Sequence, residues 1–214
     1  MKKSLLFIFL LNYSILLCQD SAEIYKKLKK LKTLSSVLYI AAHPDDENTR
    51  LISLFSNHYY SRTAYLSLTR GDGGQNLIGT ELGEALGLIR TQELLEARRI
   101  DGGIQYFTTA NDFGFSKHPD ETLSIWNKEE ILAQIVYLIR SFKPDIIINR
   151  FDHRTPGTTH GHHTSSAILS KKAFQLASDP SAFPDQLSKV DIWKPKRQFY
   201  NTSWWAYGGK EQFR

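Results

Sequence analysis

The 214-residue chain has almost nothing with which to cross-link itself: Cys18 is its only cysteine. A domain without disulfides must be held by its hydrophobic core, and a chain of this length is long enough to build one. No apolar run suits a membrane span; residues 5–18 are mostly apolar but short, and Asn12, Tyr13 and Ser14 interrupt them. The glycine-rich stretch Gly71-Asp72-Gly73-Gly74 lacks the Gly-Lys-Ser/Thr ending of a phosphate-binding loop and the spacing of a dinucleotide fingerprint, which argues against a nucleotide-binding domain. Aromatic residues are not interleaved with Arg and Lys as a nucleic-acid stacking platform needs, so no nucleic-acid partner is expected. Internal repeats and low-complexity linkers are also missing.

What is present begins with a secretory pattern. Met1-Lys2-Lys3 is a short basic start, Leu5 to Cys18 supplies the apolar region, and Gln19-Asp20 returns to polar sequence. Residues 1–18 therefore read as a signal peptide, and the protein as secreted or periplasmic, with no stable membrane insertion after cleavage. The other readings are a tethering helix that stays attached and a lipoprotein modified at Cys18, although Leu17 is bulky where a small residue is usual. The formal charge of +5 shrinks on processing: losing Lys2 and Lys3 takes 27 basic residues to 25, against 22 acidic ones, for +3. Lys26, Lys27, Lys29, Lys30 and Lys32 form one dense basic run, with Ile24, Leu28 and Leu31 at helical spacing between them. Residues 19–36 thus read as an amphipathic helix with a solvated basic face, in preference to a surface for anionic lipid or glycan.

Strand and helix patterns then alternate. Strands are expected at Val37–Ala42, Thr63–Leu68, Ile104–Thr108, Ile146–Ile148 and Arg197–Thr202. Helices are expected at Glu47–Asn57, Ala85–Ile100, Glu129–Phe142 and His163–Ala177, the third with Ile131, Leu132, Ile135, Leu138 and Ile139 as its buried stripe. Ala110–Asp120 and Phe151–Thr159 read as loops, and His118-Pro119-Asp120 as a turn. This alternation predicts an α/β, Rossmann-like fold over residues 37–214, a mostly parallel sheet with helices on both faces. Ligands of such sheets sit beyond the carboxyl ends of the strands, near a switch point. The aromatic run at 204–209 is closed by no clear element and marks either the end of a fragment or a cover over the substrate crevice.

His43-Pro44-Asp45-Asp46-Glu47 is the most informative stretch, because it delivers several metal-binding or proton-handling groups at the end of an apolar strand. His43 and Asp46, three apart in a tight turn, can face one point while Asp45 faces elsewhere. A catalytic zinc ion takes three protein ligands and keeps one position open. The third is expected from His160-Gly161-His162-His163, which follows the fourth strand. On a helix His160 and His163 share a face and His162 points away from His160. His163 is then the ligand and His160 a nearby acid, with His162 as the alternative ligand. A divalent cation so held lowers the pKa of water from about 15.7 to roughly 7, and Asp45 is placed to take the remaining proton. Zinc suits the set, which can also accept other divalent metals. Glu47 reads as a favourable charge on the first helical turn.

The two clusters in this order resemble the PIG-L/LmbE-like de-N-acetylase family, over about Val37 to Ala177. Members have a Rossmann-like fold and typically use zinc to remove acetyl groups from N-acetylglucosamine-type sugars. The resemblance implies His43, Asp46 and His163 as metal ligands, Asp45 as general base, and His160 as the group that polarises or protonates the tetrahedral centre. It also implies an N-acetylated sugar or glycoconjugate as substrate. Arg90 and Glu93 resemble an Arg-x-x-Glu element of the family whose Arg faces the active site; a helix-surface ion pair is the alternative. Asp72 and Gly73, after the second strand, are expected to contact substrate. Asp112, Asp152 and His153 lie in loops close enough to consider but carry no assignment. Other amidase or esterase chemistry at the same site, or a sugar-binding module with an inactive centre, are the competing functions; the spare carboxylate Asp45 argues against the second.

Overall fold

The computed structural model describes residues 21–203 and 209–212. The segment expected to be a signal peptide, with Cys18, and nearly all of the aromatic run lie outside the described residues. The chain divides into two units, residues 1–34 and 35–214. In the first, α1 (Ser21–Lys30) is an amphipathic helix with no buried residue, and Lys27 meets Glu23 one turn back at 2.9 Å. Among the described residues, no helix is long and apolar enough to cross a membrane.

The second unit is built on five parallel strands: β1 (Ser36–Ala41), β2 (Arg62–Ser67), β3 (Ile104–Phe107), β4 (Ile146–Asn149) and β5 (Arg197–Tyr200), in spatial order β3-β2-β1-β4-β5. Helices connect them: α2 (Thr49–Ser53, continued by a π turn at Leu54–His58), α3 (Glu84–Asp101), α4 (Pro119–Ile125), α5 (Lys128–Phe142) and α6 (Gly161–Leu176). The sheet grows outward in one direction from β1 to β3 and then restarts on the other side with β4. β1 and β4 therefore flank the switch point, paired from Val37 with Ile146 to Ile40 with Asn149.

The central strand shows why both faces are covered. All six residues of β1 are buried, and the two-residue period of a strand divides them between faces. Leu38 and Ile40 join one core with Leu132, Ile135 and Ile139 of α5 and Leu169 and Ala173 of α6. Val37, Tyr39 and Ala41 join the other with Ile52 of α2 and Leu94 of α3. Truncating a side chain such as Ile135 to Ala in a core of this kind costs about 2–5 kcal/mol.

Two local expectations need correction, and one buried cation carries no signal in the sequence. The segment expected to be a loop and a turn contains α4, with Pro119 at its first position and the ring Nδ1 of His118 accepting the Asp120 amide at 3.3 Å. Glu47 does not decorate a helical turn. Helix α2 starts at Thr49 with Asn48 as its cap, and the Glu47 carboxylate is buried against Arg98 at 3.4 Å. Arg140, within the apolar helix α5, is fully buried. Its guanidinium donates to the backbone carbonyls of Leu176, Ala177, Asp179, Ala182 and Phe183, which fixes the segment leading from α6 to β5.

Candidate metal centre

The loops after β1, β2, β3 and β4 all open at one rim of the sheet and enclose a crevice of about 490 Å³. Its lining includes His43, Asp45, Asp46, Gly73, Arg90, Asp112, His160 and His163. The β1 loop is held from below: Tyr65 Oη donates to the His43 carbonyl at 2.5 Å, and Asn48 and Tyr39 both donate to Asn201 Oδ1. Glycine is required where two loops touch, since a Cβ at Gly73 would run into the backbone of Asp112 and Gly114. Gly161 is required for a similar reason. A Cβ there would meet Ser116 and the His118 carbonyl, and its amide donates to the Ser116 carbonyl at 2.6 Å.

His43, Asp46 and His163 each place one ligand atom within 4.8 Å of the others. His43 Nδ1 lies 3.2 Å from Asp46 Oδ2, and His163 Nε2 lies 3.4 Å from Asp46 Oδ1. The His43 amide donates to Asp46 Oδ2 at 2.7 Å and so turns the carboxylate toward both rings. Two imidazole nitrogens and a carboxylate oxygen converging on one point form a donor set that suits a divalent transition metal. Burial opposes the charged form of His43, but the hydrogen bond and charge of Asp46, with Asp112 and Asp45 behind them, lift its pKa above the usual value. Burial also opposes ionisation of Asp46, and His43 and His163 more than offset it, so its pKa is lowered. His163 is pushed down to about 4, first by burial, and is neutral at physiological pH, as a metal ligand must be. Phe151 stacks flat on its ring, with centroids 3.8 Å apart and planes within 5°.

His160 lies outside the helix proper: it caps α6 with extended dihedrals, and its Nδ1 accepts the His162 amide at 3.1 Å. With Nδ1 occupied as an acceptor, the neutral ring carries its proton on Nε2. Burial, then the neighbouring His43, lowers its pKa and favours that neutral form. Because His160 is a cap, the helical-face argument fails for His162. Its ring does not point away but sits 4.5 Å from that of His160, fully buried, with Nδ1 at 2.9 Å from His43 Nε2. Burial, then the adjacent histidines, drives its pKa down to about 3. His43, His160 and His162 form a second group of donors that shares His43 with the first.

Asp45 is in neither group. Its side chain is 68% exposed, and it pairs with Arg90 Nη2 at 3.2 Å, while Arg90 Nε also lies 3.3 Å from Glu93. Arg90 thus borders the crevice and is also ion-paired on its helix. Gly73 lines the crevice, but Asp72 does not: it turns against Gly87 of α3 and lines a separate groove with Arg70, Glu84 and Leu88. Asp112 is brought into the crevice, 3.9 Å from His162 Nδ1. Burial raises its pKa, against the pull of His43. Asp152 instead binds Arg154, and His153 lies against Lys171. Phe151 and Asp112 are neighbours of the site that sequence spacing does not assign, and His162 is one that it offers only as an alternative ligand. Their one shared signal is a place in a loop, or in the first turn of a helix, after a strand.

The model of the PIG-L family, GlcNAc-PI de-N-acetylase, matches residues 38–174. Among curated proteins none matches. Several solved structures share the fold at low identity. N,N'-diacetylchitobiose deacetylase from Pyrococcus horikoshii, complexed with its inhibitor, has a TM-score of 0.64 at 18% identity, over 87% of this chain and 72% of that one. GalB, the 4-carboxy-2-hydroxymuconate hydratase from Pseudomonas putida, gives 0.58 at 17%, over 77% and 64%. A conserved protein from Thermus thermophilus gives 0.54 at 21%, over 80% and 68%. The family match runs from β1 into α6 and takes in both histidine clusters; the chain belongs to the PIG-L family.

Proposed function

We propose that the chain is a metal-dependent hydrolase, with zinc as its cation, that removes the N-acetyl group from an N-acetylglucosamine-type sugar. One observation carries the reading: His43, Asp46 and His163 converge on a point, while a carboxylate, Asp45, and an imidazole, His160, face the same crevice without being needed as ligands. A divalent cation bound there would activate water and polarise an acyl oxygen as a Lewis acid. Asp45 takes a proton from the attacking water, and its partner Arg90 keeps the carboxylate turned toward the crevice. His160, neutral and carrying its proton on Nε2, donates to the acetamide oxygen as negative charge develops on it, the kind of contribution that is usually largest in acyl transfer. The carbon–nitrogen bond then breaks, Asp45 returns its proton to the departing amine, and acetate and the free amino sugar leave. Arg90 and the backbone at Gly73 border the space that the sugar would fill.

The fold alone would not select this reaction, since the same architecture serves a hydratase in Pseudomonas. Family membership favours the N-acetyl substrate, and the spare Asp45 favours turnover over mere binding. The basic and apolar start of the chain supports action outside the cytoplasm, on an N-acetylated glycan or glycoconjugate. The test is elemental analysis of purified protein, followed by acetate release from N-acetylated sugars with and without a chelator. Bound zinc and chelator-sensitive acetate release are expected. A protein that takes up no divalent metal, or releases acetate equally well when stripped of it, would overturn the proposal.

A further inference from the structure

Both ring nitrogens of His43 face a definite partner. Nδ1 faces Asp46 Oδ2 at 3.2 Å, within the group that also holds His163. Nε2 faces His162 Nδ1 at 2.9 Å. We propose that His162 is a positioning residue: its Nδ1 accepts a hydrogen bond from His43 Nε2–H and thereby commits His43 to hold the metal through Nδ1. The inference rests on the metal-dependent reading above.

The assignment follows from counting protons. A neutral imidazole has one N–H and one lone pair. If His43 offers a lone pair beside Asp46 and His163, its proton sits on Nε2 and must be donated to His162. His162 then accepts at Nδ1 and carries its own proton on Nε2. That Nε2 is buried and has no hydrogen-bond partner. The ring lies among aromatics, its centroid 4.4 Å from that of Phe113, with the planes at 75°, and 4.9 Å from that of Trp126. An unpaired buried polar group costs about 1–3 kcal/mol, so the imidazole is a poor choice for stability alone. Its use lies at the other nitrogen. Metal-binding histidines almost always give their second N–H to an outer partner, and loss of that partner typically costs roughly 10–100-fold in metal affinity. The partner is commonly a carboxylate, a carbonyl or water; in this chain it is a neutral, fully buried ring.

The competing use of the same atoms is a second cation held by His43, His160 and His162. The 2.9 Å separation favours the hydrogen bond, and His160 has already turned its Nδ1 to the His162 amide.

Two variants of similar size separate position from bulk. In His162→Asn the side-chain oxygen sits where Nδ1 was, and in His162→Gln it reaches further, toward Nε2. Zinc affinity is measured by competition with a chromogenic chelator, with circular dichroism to confirm folding. His162→Asn should keep affinity close to wild type and His162→Gln should lose roughly 10–100-fold. In the metal-loaded wild type, nitrogen-detected NMR should find His162 protonated on Nε2 and bare on Nδ1. Wild-type affinity in a folded His162→Gln, a proton on His162 Nδ1, or two zinc ions per chain falling to one in either variant would overturn the inference. A wild-type protein that binds no zinc would remove the functional reading itself. Binding by wild type and both variants alike would remove only the role of His162.

Discussion

Replacing Asp45 by Asn should separate turnover from metal binding. The side chain is 68% exposed and makes one ion pair, with Arg90 at 3.2 Å. An exposed pair of this kind is worth about 1 kcal/mol at most, so folding should barely change. Asn keeps the shape and still offers Arg90 an oxygen; only the charge and the basicity go. Asp45 belongs to neither group of converging donors, so zinc content should stay at the wild-type level. If Asp45 is the general base, kcat should fall by about 10²–10⁴-fold, a barrier increase of roughly 2.7–5.5 kcal/mol, with KM little altered. The assay pairs fluorogenic detection of the released amine with elemental analysis of the same preparation. Undiminished turnover would refute the base assignment. Zinc lost in step with activity would show instead that Asp45 is a ligand and that the geometry of the site has been misread.

Other perturbations read other parts of the molecule. In chelator-treated protein, the unfolded chain takes up a proton on His163 below about pH 6.5, whereas the native state waits until about 4. Stability therefore falls as pH drops through that window, by on the order of 3 kcal/mol for this residue. His43, with its raised pKa, acts in the opposite sense: its contribution is full below its unfolded value and is lost as pH rises through the folded one. Urea titrations should show a shallower slope between about pH 4 and 6.5 in His163→Asn than in wild type; parallel slopes would refute the buried neutral ring. Arg98→Ala leaves Glu47 and Asp101 buried without their cation. It should cost about 3–5 kcal/mol in chemical denaturation, and a loss under about 1 kcal/mol would mean that the pair is solvated. Gly73→Ala drives a methyl group into the Asp112–Gly114 backbone. Its expected result is loss of turnover with the sheet's circular dichroism retained, and full activity would show that the loops part freely.

The sheet is legible in the sequence because its strands are apolar runs bounded by turn residues, and β1, buried on both faces, is the clearest of them. The convergence of His43, Asp46 and His163 is legible because all three follow strands that an α/β sheet must align. What escapes depends on partners distant in sequence or on the exact start of a helix. Helical spacing misplaces His162 because it counts His160 as helical, whereas extended dihedrals make that residue a cap. Helix α4 is short and sits in a polar segment; Pro119 at its first position is the available cue. Nothing local marks Arg140 as buried, since the carbonyls that receive it come from residues 176–183 and meet only in the fold. Glu47 stands next to its own helix in sequence, but Arg98, which claims it, lies on the next one.

The two halves of the centre come from strands that touch in space and stand far apart in the chain: His43 and His162 are separated by 119 positions. A cation gripping both sides would act as a clasp across the seam between β1 and β4, in a molecule with no second cysteine to form a covalent one. Closing so large a loop removes much of the freedom of the unstructured chain, and each tenfold excess of ion over its dissociation constant adds about 1.4 kcal/mol of resistance to unfolding. Scarcity of the ion would then threaten the persistence of the protein as well as its turnover.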